Sequence, residues 1–222
     1  RGIQAIRRIT GGKAVLHGSD LTYSVVGEVN DPRFGGGVLE TYRYLAQGFQ
    51  RFFCKLGLDA QIVVTPVSSD KELHLCFAEP SASEILVEGR KLIGNAQRVR
   101  GSASKGRVFL QHGSIPLADP VPLMQSIFTH ARESGLRRKM HSLQSLGIYP
   151  AQNEAELRVL LRDTLAETFK ACWQHRTWTP EEEQGIREIL PFFENFVPVS
   201  AAVDLSMELG IRIQSMHQLE KA

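Results

Sequence analysis

The stretch Ile85-Leu86-Val87-Glu88-Gly89-Arg90-Lys91-Leu92-Ile93-Gly94 reads as two short extended runs joined at Glu88-Gly89, a β-hairpin. One lysine sits among its apolar residues. A desolvated amine at Lys91 would have a lowered pKa and could exchange protons near neutrality. The bland alternative is a hairpin lysine whose stem lies on apolar surface while its ammonium stays in water. Working outward, residues 73–77 form another strand, in which a period of two separates Leu73, Leu75 and Phe77 from His74 and Cys76. A thiol accepts an acyl group from a thioester readily, and at its free pKa of about 8.5 a few per cent is already thiolate at neutral pH. A nearby ammonium raises that fraction. The alternative is a cysteine packing as a small hydrophobe.

Further toward the N-terminus, residues 60–65 read as a strand. In residues 38–56, Leu39, Tyr42, Leu45, Phe49, Phe52, Phe53 and Leu56 recur at helical spacing, with Gly57 as the stop. Residues 3–9, 13–17 and 21–26 are extended, with Thr10-Gly11-Gly12 as a turn. Beyond the hairpin, residues 101–106 read as a mobile loop, and residues 108–110 as a strand ahead of His112-Gly113. There His112 would fix a loop by hydrogen bonds, with a direct catalytic role as the alternative. Residues 116–122 look like a rigid connection. Asn153 and Glu156 cap a helix carrying Leu157, Leu160, Leu161, Leu165, Phe169 and Cys172, and Thr179-Pro180-Glu181-Glu182 opens another. The 222 residues, 42% hydrophobic, suit one main domain. The expected fold is α/β of the α+β type: a mixed β-sheet with flanking helices and a helical C-terminal part. Residues 1–120 form the core, 121–196 the helical part of the same domain, and 197–222 a tail without a recognisable element.

Basic and acidic counts of 26 and 24 leave a net charge of +2 and no long basic tract, which argues against nucleic acid. Three cysteines without a CxxC spacing argue against a disulfide framework and a structural zinc, and point to a reducing compartment. Cys54 and Cys172, with apolar neighbours at helical spacing, read as packing residues. No apolar run approaches the ~18 residues of a membrane helix and no signal-peptide pattern opens the chain, so a cytoplasmic protein is expected. The chain begins at Arg1 rather than methionine, within two turns of a Gly-rich motif, and further sequence ahead of it is expected. His17, His74 and His112 lack metal-ligand spacing, so no metal is expected. No GxSxG, GxGxxG or GxxxxGK[ST] occurs, and Arg7-Arg8-Ile9-Thr10-Gly11-Gly12 alone reads as a hairpin turn before a phosphate cradle.

Five segments in order carry more than any one of them: residues 7–17 with Leu21-Thr22-Tyr23-Ser24, then Cys76-Phe77-Ala78-Glu79-Pro80-Ser81, residues 89–97, and Leu110-Gln111-His112-Gly113-Ser114. Together they resemble the biotin/lipoate protein ligase and transferase family, closest to its cysteine-dependent lipoyl-domain octanoyltransferases. The resemblance runs from Arg1 to about Phe193. It implies a biotin/lipoate ligase-like catalytic domain that moves octanoyl from acyl carrier protein to a lysine of a lipoyl-carrier protein, such as the glycine-cleavage H protein or a dehydrogenase E2 domain. It assigns Cys76 as nucleophile and Lys91 as its catalytic partner. It surrounds the substrate with Arg8, Thr10, Gly11, Gly12, His17, Gly94, Ala96, His112 and Gly113. No cofactor, nucleic acid or membrane is implied, and a monomer is expected. Asn95, Ser83 and the loop 101–106 depart from the family's pattern, which bears on substrate and acceptor preference. The alternatives are an ATP-dependent lipoate–protein ligase, which does not need the Cys76 thiol, and a noncatalytic lipoyl-domain-binding relative. Biotin ligation is disfavoured because the Gly-Arg-Gly-Arg loop is absent.

Overall fold

The computed structural model describes residues 4–10, 14–34, 38–63, 84–102, 104, 106–128, 135–193, 197–198 and 211–214. Strands β1 (Gln4–Arg7), β2 (Val15–Leu16) and β3 (Asp20–Glu28) open the chain, followed by a 3-10 turn at Pro32–Phe34 and helix α1 (Val38–Lys55). Next come β4 (Ala60–Ile62), β5 (Ile85–Val87), β6 (Arg90–Lys91), β7 (Gly94–Ser102) and β8 (Gly106–Pro116). The remainder holds α2 (Val121–Ile127), α3 (Leu136–Lys139), α4 (Glu154–Phe169), α5 (Pro180–Phe193), β9 (Val197–Pro198) and β10 (Ile211–Gln214).

The strands form three sheets ordered β3-β8-β7, β4-β5-β6 and β2-β10-β1-β9. The first two are antiparallel. In the third, β10 runs parallel to β2 and antiparallel to β1, so the mixed character expected of the sheet resides there. The tail assigned no element therefore contributes β9 and β10.

Helix α1 buries Leu45, Ala46, Phe49, Phe52 and Phe53, the face that the helical spacing requires, and Gly57 ends it at φ 81°, a value glycine adopts without strain. Helix α4 starts at Asn153, whose side chain accepts from Glu156 N while Glu156 reaches back to the Asn153 N–H. Its buried Leu157, Leu161, Leu165 and Phe169 join α1 in one core with Phe34 and Phe109. Each fully buried side chain of this size contributes about 1.5–3 kcal/mol relative to exposure, so the α1–α4 seam is the main brace behind the sheets. Gly48 lets the helices approach: a Cβ there would lie 2.7 Å from Leu165.

Several local expectations change. Residues 108–110 are the middle of the longer strand β8, so His112 and Gly113 are strand residues, held between β3 and β7 rather than in a loop. Gly101, Ser102 and Gly106 also belong to paired strands, because the β7–β8 ladder continues to Ser102↔Gly106. Cys54 and Cys172 are both exposed: Cys54 lies on the outer face of α1, and Cys172 follows the end of α4 at Phe169. The strand expected at residues 73–77 lies outside the described residues.

Candidate active site

The antiparallel ladders assemble most of the expected site. Gly94 faces Ser114, Asn95 faces Gly113 and Ala96 faces His112 between β7 and β8, while Ser24 of β3 stands opposite His112. Arg8, His17, Gly94, Ala96, His112 and Gly113 line one cleft with Val15, Asn95 and Ser114. Its interior is about 20 Å³, room for roughly one water-sized group rather than a chain. Thr10 joins from beside it: its Oγ1 lies 2.6 Å from His112 Nε2 and accepts from Arg8 Nη1 at 3.2 Å. If Thr10 accepts from Arg8, its hydroxyl proton is available to His112 Nε2. Gly11, Gly12 and Cys76 lie outside the described residues.

Beneath the cleft sits a buried polar cluster absent from the sequence reading. Asp20 Oδ2 lies 2.7 Å from His17 Nδ1 and accepts from Ser114 Oγ at 2.5 Å, and its Oδ1 accepts from the Gly18 N–H at 2.9 Å. A carboxylate only accepts, so His17 Nδ1 must be the donor and Nε2 is the ring atom left for the cleft. Asp20 thus fixes the tautomer and the plane of His17. The spacing of three residues between His17 and Asp20 was a usable sequence signal, whereas Ser114 becomes visible only once β8 is known to extend past it.

Gly113 has a separate role. A Cβ there would overlap the Gly94 carbonyl oxygen and come within 2.6 Å of Tyr23 Oη, so close strand packing requires glycine. Burial pushes the Tyr23 phenol up from its usual range, keeping it neutral.

Lys91 does not line this cleft. It is 1% exposed, and its Nζ donates to Glu84 Oε1 at 2.7 Å. Leu86 faces Lys91 across the β5–β6 hairpin, so Glu84, two residues before Leu86, occupies the diagonal position. That diagonal was the sequence signal for the pair. Both readings of Lys91 need revision, since the ammonium is neither bathed in water nor surrounded only by apolar groups. Loss of Lys91 would cost stability, because it breaks a buried ion pair. Among the described residues, no three His, Cys, Asp or Glu side chains cluster as a metal site. No described helix is long and apolar enough to cross a membrane.

The Lipoyl protein ligase A/B catalytic domain model matches residues 1–161. The chain belongs to that family. It is 37% identical over 175 residues to octanoyltransferase LipM of Bacillus cereus, covering 76% of this chain and 60% of the relative. It is 36% identical over 203 residues to octanoyltransferase LipM of Kyrpidia tusciae, covering 86% and 72%. Thus the chain spans about three fifths of the length of the first of these relatives. Among solved structures, it matches protein Ta0514 of T. acidophilum with bound lipoic acid at TM-score 0.63 and 21% identity, covering 84% of this chain and 67% of that one. It matches lipoate-protein ligase A bound with ATP at TM-score 0.60 and 20% identity, covering 84% and 67%. At those identities the structural likeness establishes the ligase fold, a mixed α/β arrangement as expected.

Proposed function

We propose that this lipoyl ligase-family chain is the catalytic part of an octanoyltransferase, moving octanoyl from acyl carrier protein to a lysine of a lipoyl-carrier protein such as an H protein or an E2 domain. The likeness to the LipM octanoyltransferases, together with Cys76 in Cys76-Phe77-Ala78-Glu79-Pro80-Ser81, carries this reading. The Cys76 thiolate attacks the thioester carbonyl; the carbon–sulfur bond to the enzyme forms, that to the carrier breaks, and the carrier thiol leaves with a proton. The acceptor lysine amine then attacks the acyl-enzyme, an amide forms, the amine loses a proton, and the thiolate returns. The first step exchanges one thioester for another and the second yields the more stable amide, so no nucleotide is needed.

Lys91 would supply positive charge and a proton path beside the thiolate, a role worth about 10²–10⁴-fold when a group acts as general acid or base. His17 and His112, with the backbone between Gly94 and Ala96, would hold the polar head of the substrate in the small cleft. The protein would act in the cytoplasm as a monomer. Incubation with octanoyl-acyl carrier protein, without ATP or acceptor, should add one octanoyl mass at Cys76 that hydroxylamine removes. Lipoyl-domain modification seen only with free octanoate or lipoate and ATP would replace this reading with the ligase one.

A further inference from the structure

Successive strand residues point to opposite faces, so Arg90 looks away from the Lys91–Glu84 pair. Together with Arg137, His141, Ser142, Ser145 and Asp119 it lines a second cleft, of about 280 Å³. His141 is the unusual member. It is 4% exposed, and Ser145 Oγ, which spends its proton on Ser142 O at 2.8 Å, lies 3.0 Å from His141 Nδ1. The ring must therefore donate from Nδ1, which leaves a lone pair on Nε2 when the imidazole is neutral. Burial, reinforced by the Arg90 charge, lowers the His141 pKa and favours that neutral form. His141 Nε2 has no hydrogen-bond partner. Glu88 Oε2, 3.4 Å away, is itself an acceptor and cannot satisfy a lone pair.

Two guanidinium groups flank this acceptor. Arg90 Nη1 donates to the Arg137 carbonyl at 3.2 Å and Arg90 Nη2 lies 3.6 Å from Glu88 Oε2, while Arg137 Nη2 pairs with Asp119 Oδ2 at 2.8 Å. Such exposed pairs contribute little, and a phosphate can replace or join them. The last turn of α3 adds Arg138 and Lys139 beside Arg137.

We propose that this cleft binds a phosphate ester carrying a hydroxyl or amide N–H next to the phosphate, the anion on Arg90 and Arg137 and the donor on His141 Nε2. The phosphopantetheine arm of an acyl thioester has that chemistry, a phosphate followed by a hydroxyl and an amide. The cleft would hold the donor's arm, an assignment that rests on the octanoyltransferase reading. Its position suits the task, since the His141 N–H donates to the Lys91 carbonyl at 2.8 Å and Met140 bridges to Lys91, one strand from the proposed chemistry.

Calorimetric titration of this chain with pantetheine 4′-phosphate, pantetheine and inorganic phosphate tests it. The phosphorylated arm should bind at least about tenfold more tightly than pantetheine, as charge-assisted hydrogen bonds imply, and Arg137→Gln or Arg90→Gln should erase most of that difference. Equal binding of the two arms, or full preference in both variants, overturns the site. Inorganic phosphate binding as tightly as the phosphorylated arm overturns the contact to His141. Phosphate-dependent binding without any octanoyl transfer supports the cleft and defeats the transferase reading; transfer without phosphate preference does the reverse.

Discussion

Glu84 and Lys91 meet across the β5–β6 hairpin at 2.7 Å, with side-chain exposures of 4% and 1%. Two opposite charges withdrawn from water hold one another, and neither tolerates loss of its partner. Lys91→Ala should therefore cost about 3–5 kcal/mol, since it removes one member of a buried ion pair. The double variant Glu84→Gln/Lys91→Met should regain a substantial part of that stability in urea denaturation and none of the transfer activity. A Lys91→Ala protein as stable as wild type would show that the pair is not closed in solution.

Cys54 and Cys172 are exposed, so their removal should be tolerated structurally. Cys54→Ser/Cys172→Ser is expected to form the octanoyl adduct at the wild-type level, whereas Cys76→Ala forms none by intact mass. Adduct loss in the double variant would move the nucleophile away from Cys76.

Asp20 satisfies donors from His17, Gly18 and Ser114 at once. Asp20→Ala leaves buried polar groups without their acceptor and should destabilise by about 1–3 kcal/mol. Asp20→Asn is the more informative variant: its amide can keep one contact as acceptor yet cannot accept on both atoms, so His17 loses its fixed tautomer. Reduced turnover with near-native unfolding is the expected signature, and unchanged turnover would remove His17 from the chemistry.

Gly113→Ala forces a methyl group against the Gly94 carbonyl oxygen and Tyr23 Oη. Separation of β7 from β8 or displacement of Tyr23 should follow, at a cost of about 1–3 kcal/mol and with the cleft distorted. Gly18→Ala, which meets nothing within 4 Å, provides the contrast and should unfold like wild type.

His141 gives the fold a pH dependence of defined sign. Burial first, then Arg90, lowers its pKa, against a smaller opposing effect of Glu88. The unfolded chain consequently binds the extra proton first, so stability falls as pH drops through about 6.5 and levels off below the folded-state pKa. His141→Asn should flatten that part of the denaturation midpoint against pH.

What the sequence made legible followed from local rules. The α1 stripe from Leu45 onward, the Asn153–Glu156 cap and the hairpin around Glu88-Gly89 each depend on near neighbours and form as expected, whereas Leu39 at the head of the stripe is exposed. So does the Thr179 cap of α5, where Glu182 N donates to Thr179 Oγ1 at 3.3 Å. Arg8, His17, Gly94, Ala96, His112 and Gly113, which the resemblance groups, line one cleft, because it encodes long-range pairing that periodicity cannot. What stayed hidden were partners fixed by pairing between strands: Glu84 for Lys91, and Ser114 for Asp20. The end of β8 was misread because glycine and serine in His112-Gly113-Ser114 carry turn propensity, which flanking strands override.

The sheet order β3-β8-β7 also sets a timetable for folding. The β7–β8 pairing closes locally near Ser102↔Gly106, so the half of the cleft made by Gly94, Ala96, His112 and Gly113 can nucleate early. The other half waits on contacts such as Asp20 to Ser114, 94 residues apart, whose closure carries a far greater chain-entropy cost. The geometry of the cleft is therefore completed only when β3 docks. A nascent or partly refolded molecule can possess a well-formed β7–β8 hairpin and still lack half of the cleft's walls.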